Sequence, residues 1–151
     1  MPVITVDSPN TVDLVALAQL IKEWGRELGF QQVGIAGLDL AEHEQHLERW
    51  LAAGYHGEMD YMAAHGSKRS HPDELVTGTL RVVSLRMDYL PGDTEMTQRL
   101  AEPEKAYVSR YALGRDYHKL IRKRVQQLAE RIQQAIGPFG YRAFVDSAPV
   151  L

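Results

Sequence analysis

The sequence predicts an α+β fold, and three observations support this prediction. Two stretches, residues 11–28 and 116–136, repeat apolar side chains at the spacing of a helix. Three short apolar runs, at 30–38, 81–90 and 141–151, have the length and composition of strands. The two patterns alternate with irregular lengths and without an internal repeat, which is typical of a mixed domain.

The first predicted helix covers residues 11–28. Asn10 or Thr11 can cap its start, and Gly29 can end it. Its apolar face is formed by Leu14, Leu17, Ala18, Ile21 and Leu28. The strand FQQVGIAGL follows at 30–38, and its two inner glycines permit a bend or a close approach of another backbone.

The middle of the chain has weaker patterns. Residues 40–53 are predicted to be helical, because Leu47, Trp50 and Leu51 fall on one face. A short helix is predicted at 58–65. The segment SKRSHPDELVTGT after it is rich in turn-forming residues, so we expect irregular structure there.

The second half has the strongest helical pattern. A strand at 81–90 is predicted to end in a turn at 91–93, and residues 93–106 are polar enough to form a long loop. Residues 116–136 form the clearest helix, ended by Gly-Pro, since proline cannot continue a helix. A third strand running into a turn is predicted at 141–151.

Length and composition exclude several classes of protein. The chain has 151 residues, 44% of them hydrophobic and 25% charged, which is enough for one domain with a core. No apolar run is long enough to span a bilayer, and the first residues lack the features of a signal peptide. We therefore expect a soluble, cytoplasmic protein that does not bind membranes. We also expect residues 1–11 to form a flexible N-terminus.

The chain contains no cysteine. Disulfides, thiolate nucleophiles and cysteine-ligated iron–sulfur clusters are therefore excluded within it. The phosphate-binding motifs GxxxxGK[ST] and GxGxxG are also absent, so the common nucleotide-binding loops are not supported. The motif HEQH at 43–46 spaces its histidines by three rather than four, and a solvated helix surface is the favoured interpretation over a metal site.

The charge is distributed unevenly. Residues 1–66 carry ten acids and three bases, a net charge of −7, whereas 67–151 carry ten acids and fourteen bases, a net charge of +4. Six of the seventeen Lys and Arg residues lie between Arg110 and Arg124, with Asp116 as the only acid there. This basic stretch indicates either an anionic partner or an ordinary solvated helix face.

Candidate functional side chains can be named, each with a simpler alternative. Asp146 follows Phe144 and Val145 at the end of the predicted third strand, where a partly desolvated carboxyl group can hold a proton near neutrality. Capping of its own turn is the alternative. Arg69 precedes a proline in a loop, where an exposed guanidinium could bind an anion or carboxamide, or could be an ordinary surface arginine.

The stretch SRYALGRDYH, at 109–118, combines a hydroxyl group, two phenol rings, two guanidinium groups and an imidazole. Asp116 can serve simply as the N-cap of the long helix. Tyr117 and His118 can still face a site. From the residues alone, this stretch indicates an anion or nucleotide site.

Several motifs together resemble one family. LGFQQVGIA, YHGEMDYMAAH, KRSHPDELVTGTLRVVSLRMDYLP, YVSRYALGRDYH and FVDSAPVL are similar, in order and spacing, to consecutive blocks of epoxyqueuosine reductase. The resemblance covers residues 12–151 and implies a nitroreductase-like cobalamin-binding domain, with a mixed sheet flanked by helices. It also implies that the ferredoxin-like domain with two [4Fe–4S] clusters and the helical repeats of the family are absent from this chain.

The resemblance also implies an activity and a site. The family uses cobalamin to reduce the epoxide of epoxyqueuosine in a tRNA anticodon loop, giving queuosine. Asp146 corresponds to its proton donor, and Arg69, Ser109 and Asp146 correspond to corrinoid contacts. We extend the predicted site to the neighbouring residues Tyr111, Arg115, Asp116, Tyr117 and His118, and we predict no metal ligand from the protein itself.

The expected partner is tRNA, held in part by the basic stretch, and the expected oligomeric state is a monomer. Because the chain has no cysteine, we expect it to be inactive without an electron supply from elsewhere. Two alternatives stay open at this point. One is a corrinoid enzyme of the reductive dehalogenase type, and the other is a non-catalytic module that binds cobalamin or tRNA.

Overall fold

The computed structural model describes residues 12–90 and 95–146. The expected flexible segment 1–11, the turn predicted at 91–93 and the last five residues lie outside the described part. Five helices are present there: α1 Leu14–Glu27, α2 Ala41–Ala52, α3 Pro72–Leu75, α4 Met96–Leu100 and α5 Tyr117–Ile136. Two strands, β1 Gln32–Ala36 and β2 Val82–Arg86, and three single 3-10 turns, Asp60–Met62, Gly66–Arg69 and Arg110–Ala112, complete the described structure.

The core lies between the two longest helices. Leu17 and Ile21 of α1 pack with Leu128 and Ile132 of α5, and all four side chains are buried. Burial of one such side chain contributes about 1.5–3 kcal/mol, so this cluster is a major source of stability. The partly buried residues packed against the cluster come from both strands and from the ends of α1 and α5 with the segments that follow them: Trp24, Leu28, Val33, Ile35, Leu85, Ile136 and Phe139.

The two strands form an antiparallel pair that lies against α1. The register places Val33 opposite Leu85 and Ile35 opposite Val83. Helix α1 approaches the sheet closely at Gly25, which is buried and whose added Cβ would meet the Cγ2 methyl of Val33. A side chain at this position would therefore push the helix away from the sheet.

The predicted α+β class and the long helices are confirmed, whereas the mixed sheet and the third strand are not. Within the described residues the sheet has only β1 and β2, and they are antiparallel. Residues 141–146 are irregular. Arg142 lies over the ring of Phe144 at 4.9 Å, Val145 is buried, and the chain turns at Asp146 with φ 56°. A backbone angle of this sign ends an extended strand.

Two further local predictions were wrong. The helix predicted at 58–65 is reduced to the 3-10 turn Asp60–Met62, because Gly57 and Gly66, on either side, have φ of 55° and 51° and interrupt a helix. The loop predicted at 93–106 contains α4, whose Arg99 forms an ion pair with Glu102 just past the end of the helix, and Glu102 also pairs with Lys105. These short-range pairs do not show in an apolar pattern.

No helix in the part of the chain that the structure describes is long and apolar enough to cross a membrane.

Candidate active site

Asp146 is held by the first turn of α5. The Tyr117 hydroxyl donates a hydrogen bond to Oδ2 of Asp146, and Nε2 of His118 lies 3.7 Å from the same oxygen. The Asp146 side chain is 62% exposed, so the prediction of a partly desolvated carboxylate at the end of a strand was wrong. The carboxylate is instead exposed to solvent, and it is positioned by His118 and Tyr117, which lie 28 and 29 residues earlier in the chain.

His118 is fixed from its other side by Asp116, which caps α5 as predicted. Oδ1 of Asp116 accepts the backbone N–H of His118 at 3.0 Å and also lies 3.0 Å from His118 Nδ1. These two contacts, the backbone one first, lower the pKa of Asp116. The stacked rings of Tyr117 and His118, with centroids 4.1 Å apart, further restrict the imidazole.

The hydrogen bond between Tyr117 and Asp146 also affects the tyrosine. Donation to a carboxylate favours the protonated phenol, and with partial desolvation it raises the pKa of Tyr117 from 10.0 to about 12. Tyr117 therefore keeps its proton throughout the neutral range and acts as a fixed hydrogen-bond donor to Asp146.

Three tyrosines extend away from Asp146 along the surface, and we call them the aromatic row. Tyr117 meets the edge of Tyr111 at 6.2 Å, and Tyr111 meets Tyr89 in the same way at 6.2 Å. Tyr111 is 53% exposed and Tyr89 is 65% exposed, so much of both rings faces solvent. A shallow depression of about 460 Å³, lined by residues 86–90, lies beside Tyr89. Flat exposed rings beside polar groups are typical of ligand-binding surfaces.

Ser109 and Arg115 lie on the two sides of the Tyr111 segment. The carbonyl of Ser109 accepts the backbone N–H of Ala112 at 3.0 Å and starts the turn Arg110–Ala112, while its hydroxyl group is exposed. Arg115 is also exposed and follows Gly114, whose φ of 88° redirects the chain into α5. The structure therefore brings together Tyr111, Tyr117, His118 and Asp146 through side-chain contacts, whereas Ser109 and Arg115 are near them in sequence and make no side-chain contact with them among the described residues.

Arg69 has a different environment from the one predicted. Its residue is only 8% exposed, and Nε and Nη2 donate to the carbonyl oxygens of Met62 and Tyr61 at 2.8 and 2.6 Å. Both the exposed anion clamp and the ordinary surface arginine are therefore wrong for this structure. Arg69 ties the segment at 61–62 to the turn Gly66–Arg69, and no hydrogen bond or ion pair of the described residues links it to Asp146.

A polar network next to Arg69 had no counterpart in the sequence predictions. The Ser70 hydroxyl donates to Glu44 Oε1 at 2.5 Å, which joins α2 to the turn that carries Arg69. His71 Nδ1 lies 3.0 Å from the Ser67 carbonyl oxygen and 3.6 Å from Glu44. The Ser67 carbonyl, followed by Glu44, raises the pKa of His71. Glu44 belongs to the HEQH motif, where its role is to hold this loop.

The motif HEQH forms no metal site in the described part of the chain. His46 Nδ1 lies 3.1 Å from Arg49 Nη2, and His43 is exposed. Among the described residues there is no group of three or more side chains placed to hold a metal ion.

The basic stretch is divided between the surface and the interior. Arg124 faces inward, with Nη1 3.6 Å from Met87 Sδ and close to Gly29. Arg110 has a buried Nε without a hydrogen-bond partner among the described residues, and its guanidinium lies 6.0 Å from the Tyr107 ring centre. The remaining cations of the stretch are exposed: Arg115, Lys119, Arg122 and Lys123. Their spacing places them on one side of the first turns of α5.

Sequence reasoning missed Tyr89 as a part of this site. Tyr89 follows β2, and its contact with Tyr111 depends on how the end of the strand meets a segment 22 residues later. The pattern RMDYL contains an exposed aromatic residue after a strand, which was the only available signal. Periodicity identifies which face of an element is buried, but it does not identify which exposed residues meet.

Fold and site together define an α+β protein with an ionisable centre beside an exposed aromatic surface, an arrangement typical of enzymes. The family model described as "Epoxyqueuosine reductase QueG, DUF1730" matches residues 69–147. The chain belongs to this family. The matched region contains Arg69, the aromatic row, His118 and Asp146.

Curated relatives agree with this assignment. A protein named epoxyqueuosine reductase from Pseudomonas aeruginosa is 79% identical over 96% of this chain and 40% of its own length. Proteins of the same name from Escherichia coli and Vibrio cholerae are 58% and 56% identical over 93% of this chain, covering 37% and 38% of theirs. The chain thus spans about 40% of the length of the curated relatives that it matches. No solved structure matches it.

Proposed function

We propose that this chain is the N-terminal, corrinoid-binding part of an epoxyqueuosine reductase, which reduces the epoxide of epoxyqueuosine in tRNA to queuosine. The observation that carries the proposal is the family match over residues 69–147, which contains the whole Tyr117–His118–Asp146 arrangement. The 79% identity to a protein of that name supports the same conclusion.

The exposed aromatic row fits cobalamin chemically. A corrin ring is broad and flat, and its rim carries amide side chains that need both hydrogen-bond donors and acceptors. Tyr89 and Tyr111 offer exposed ring faces. The exposed Ser109 hydroxyl and Arg115 guanidinium offer polar contacts beside them. We therefore assign the corrinoid-facing surface to Ser109, Tyr111, Arg115, Tyr117 and His118, to which Tyr89 is added.

Arg69 stays in the proposed corrinoid site because of the family resemblance, with a changed role. Two of its three guanidinium nitrogens donate hydrogen bonds to backbone carbonyls. The third, Nη1, has no hydrogen-bond partner among the described residues. Arg69 would mainly hold the segment at 61–62 in place, so its removal would affect the shape of the site more than a single contact.

Cobalamin, when bound, would supply the electrons one at a time. The described residues supply the proton chemistry. Conversion of an epoxide into an alkene consumes two electrons and two protons and releases the oxygen as water. Asp146 is the acid that we place at that oxygen, with Tyr117 orienting its carboxyl group. A ligand covering this surface would remove water from the carboxyl group and favour its proton-carrying form.

The iron–sulfur clusters of the family do not fit this chain, because it has no cysteine to ligate them. We place them in the part of the longer relatives that this chain does not span. Electron supply is therefore a property of the longer protein, which we propose to be cytoplasmic.

The exposed cations Arg115, Lys119, Arg122 and Lys123 form the surface that we assign to tRNA phosphates. Arg124 does not belong to it, since its guanidinium faces Met87. Phosphate contacts of this kind weaken as salt rises, because binding releases counterions.

The proposed function is tested by conversion of epoxyqueuosine-containing tRNA. A full-length reductase containing this chain is incubated with that tRNA and a reductant, with and without cobalamin, and the nucleosides are analysed by mass spectrometry. We expect queuosine only when cobalamin is present. Equal conversion without cobalamin would remove the cofactor assignment, and no conversion by the cobalamin-loaded, reduced enzyme would remove the activity.

A further inference from the structure

The reaction proposed above needs more protons than Asp146 can carry. Release of the epoxide oxygen as water requires two protons, whereas one carboxylic acid holds one. A second proton must reach this site within each turnover. The side chains in contact with Asp146 are therefore the first candidates for its source.

Tyr117 is a poor proton source although it donates to Asp146. The carboxylate raises the pKa of this phenol to about 12, so transfer of its proton at neutral pH is strongly unfavourable. The role of Tyr117 is to hold Asp146, and it stays protonated while doing so.

His118 has the geometry that a proton relay needs. Its Nδ1 lies 3.0 Å from Asp116 Oδ1, and its Nε2 faces Asp146 Oδ2 at 3.7 Å. The hydrogen bond to Asp116 keeps a proton on Nδ1, so Nε2 is the nitrogen that gains and loses the mobile proton. Imidazole is also the side chain that changes charge near neutrality.

Both ends of this path are open to water. The His118 side chain is 45% exposed and that of Asp146 is 62% exposed. Solvent can therefore reload Nε2, and rotation of the exposed carboxyl group can exchange its two oxygens. The distance of 3.7 Å is too long for a direct hydrogen bond, so the transfer needs a small approach of the two side chains or one bridging water.

We propose that His118 is a positioning residue that reprotonates Asp146 during epoxide reduction, with Asp116 fixing its tautomer. The inference rests on the proposed function. In the step itself, the His118 imidazolium gives its Nε2 proton to the Asp146 carboxylate after Asp146 has protonated the leaving oxygen. The neutral imidazole then takes a proton from solvent, and no electrons move in this step.

The other ionisable groups around His118 define what else could change with pH. Asp116 and Tyr117 belong to the same end of α5, Lys119 follows them, Asp146 faces the ring from the C-terminal segment, and Tyr111 contacts Tyr117. Of these groups, His118 is the imidazole. A relay through an imidazole predicts that turnover limited by reprotonation falls as the pH rises, because the neutral ring has no mobile proton to give.

The test compares His118→Gln, His118→Ala and Asp146→Asn in the full-length, cobalamin-loaded reductase with epoxyqueuosine-containing tRNA. The matched control is His43→Gln, which replaces an exposed histidine of α2. We expect His118→Gln to lower turnover by about 10²-fold, the lower end of general acid catalysis, and to remove the fall in rate at high pH. Cobalamin loading of each variant is measured by visible absorption, and turnover is compared per molecule of cobalamin-loaded enzyme.

Chemical rescue separates a relay from a purely structural role. Added imidazole should restore part of the turnover of His118→Ala, to a degree that follows the protonated fraction of the buffer, and should not affect His43→Gln. Turnover and a pH profile of His118→Gln equal to wild type would overturn the relay. A loss of activity that no buffer acid rescues would overturn it as well.

The same set of variants distinguishes failure of the proton relay from failure of the proposed function. If wild type is active and Asp146→Asn is inactive while His118→Gln is unaffected, only the relay is wrong. If wild type does not convert the epoxide, or Asp146→Asn is as active as wild type, the proposed role of Asp146 is wrong and the relay is overturned with it.

Discussion

The α1–α5 core and the Asp146 site are built from different interactions. The core uses apolar side chains that recur at helical spacing, with Leu17, Ile21, Leu128 and Ile132 buried together. The site uses polar and aromatic contacts between exposed and half-buried residues from three separate segments, such as Tyr117 with Asp146 and Tyr111 with Tyr89. Stability and chemistry should therefore be separable by mutation, because the two sets share no residue.

The largest expected effect on chemistry comes from Asp146→Asn. The amide keeps the shape and can still accept the Tyr117 hydrogen bond, but it cannot deliver a proton. We expect turnover of the full-length reductase to fall by about 10²–10⁴-fold, the range of general acid catalysis, with cobalamin binding and melting temperature nearly unchanged.

Turnover and thermal melting are measured on the same preparation. Glu48→Gln on α2, an exposed acid, is the matched control and should leave turnover unchanged. If Asp146→Asn retained wild-type turnover, Asp146 would have only a structural role at the end of its segment.

Leu128→Ala is expected to lower the stability of the fold and to leave the site unchanged. This side chain is 3% exposed in the core, so its truncation should cost about 2–5 kcal/mol of unfolding free energy. Denaturant unfolding measures the change, and Leu120→Ala, an exposed leucine on the same helix, should cost far less. Per folded molecule, cobalamin binding of Leu128→Ala should match wild type. Equal costs for the two variants would contradict the assignment of the core.

A smaller effect is expected from Gly25→Ala. Alanine favours the helix by about 1 kcal/mol, but its methyl group would overlap with Val33 and should cost about 1–3 kcal/mol. The net result should be a modest loss of stability in thermal melting. Gly37→Ala is the control, since an added Cβ there meets nothing within 4 Å. Stabilisation by Gly25→Ala would show that the helix can move away from β1 without cost.

The smallest effect concerns Tyr117 at high pH. Its folded-state pKa of about 12 lies above the unfolded value of 10.0, so the folded state holds this proton more tightly. The associated stability is complete below pH 10 and is lost as pH rises toward 12. Ultraviolet titration should show one late-ionising tyrosine that is missing in Tyr117→Phe and that ionises earlier in Asp146→Asn. A late tyrosine that persists in Tyr117→Phe would assign the shift to another residue.

The core was predictable from the sequence and the site only in part, for a physical reason. The burial of Leu17, Ile21, Leu128 and Ile132 follows from their spacing, and Asp116 was identified as an N-cap from its position before a helix. The burial of Arg69 could not be predicted in this way, because it depends on two carbonyl groups seven and eight residues earlier.

The prediction of a third strand was wrong over residues 141–146, the part of it that the structure describes, for a related reason. The residues around Phe144 and Val145 have the composition of a strand, but a strand also needs a partner edge, which is a property of the tertiary structure. The same holds for Tyr117 and Asp146, whose contact spans 29 residues. Asp146 entered the predicted site through a family resemblance, and the structure then supplied its neighbours.

The central claim, that residues of this chain form a corrinoid-binding surface beside Asp146, is tested most directly by visible absorption titration with cob(II)alamin. We predict a saturable spectral change for the purified chain, weakened by Tyr111→Ala and unaffected by Tyr55→Ala, which removes a 72% exposed tyrosine that does not belong to the aromatic row. The full-length Pseudomonas aeruginosa relative is titrated in parallel. Binding by that protein but not by this chain, or equal weakening by both variants, would contradict the claim.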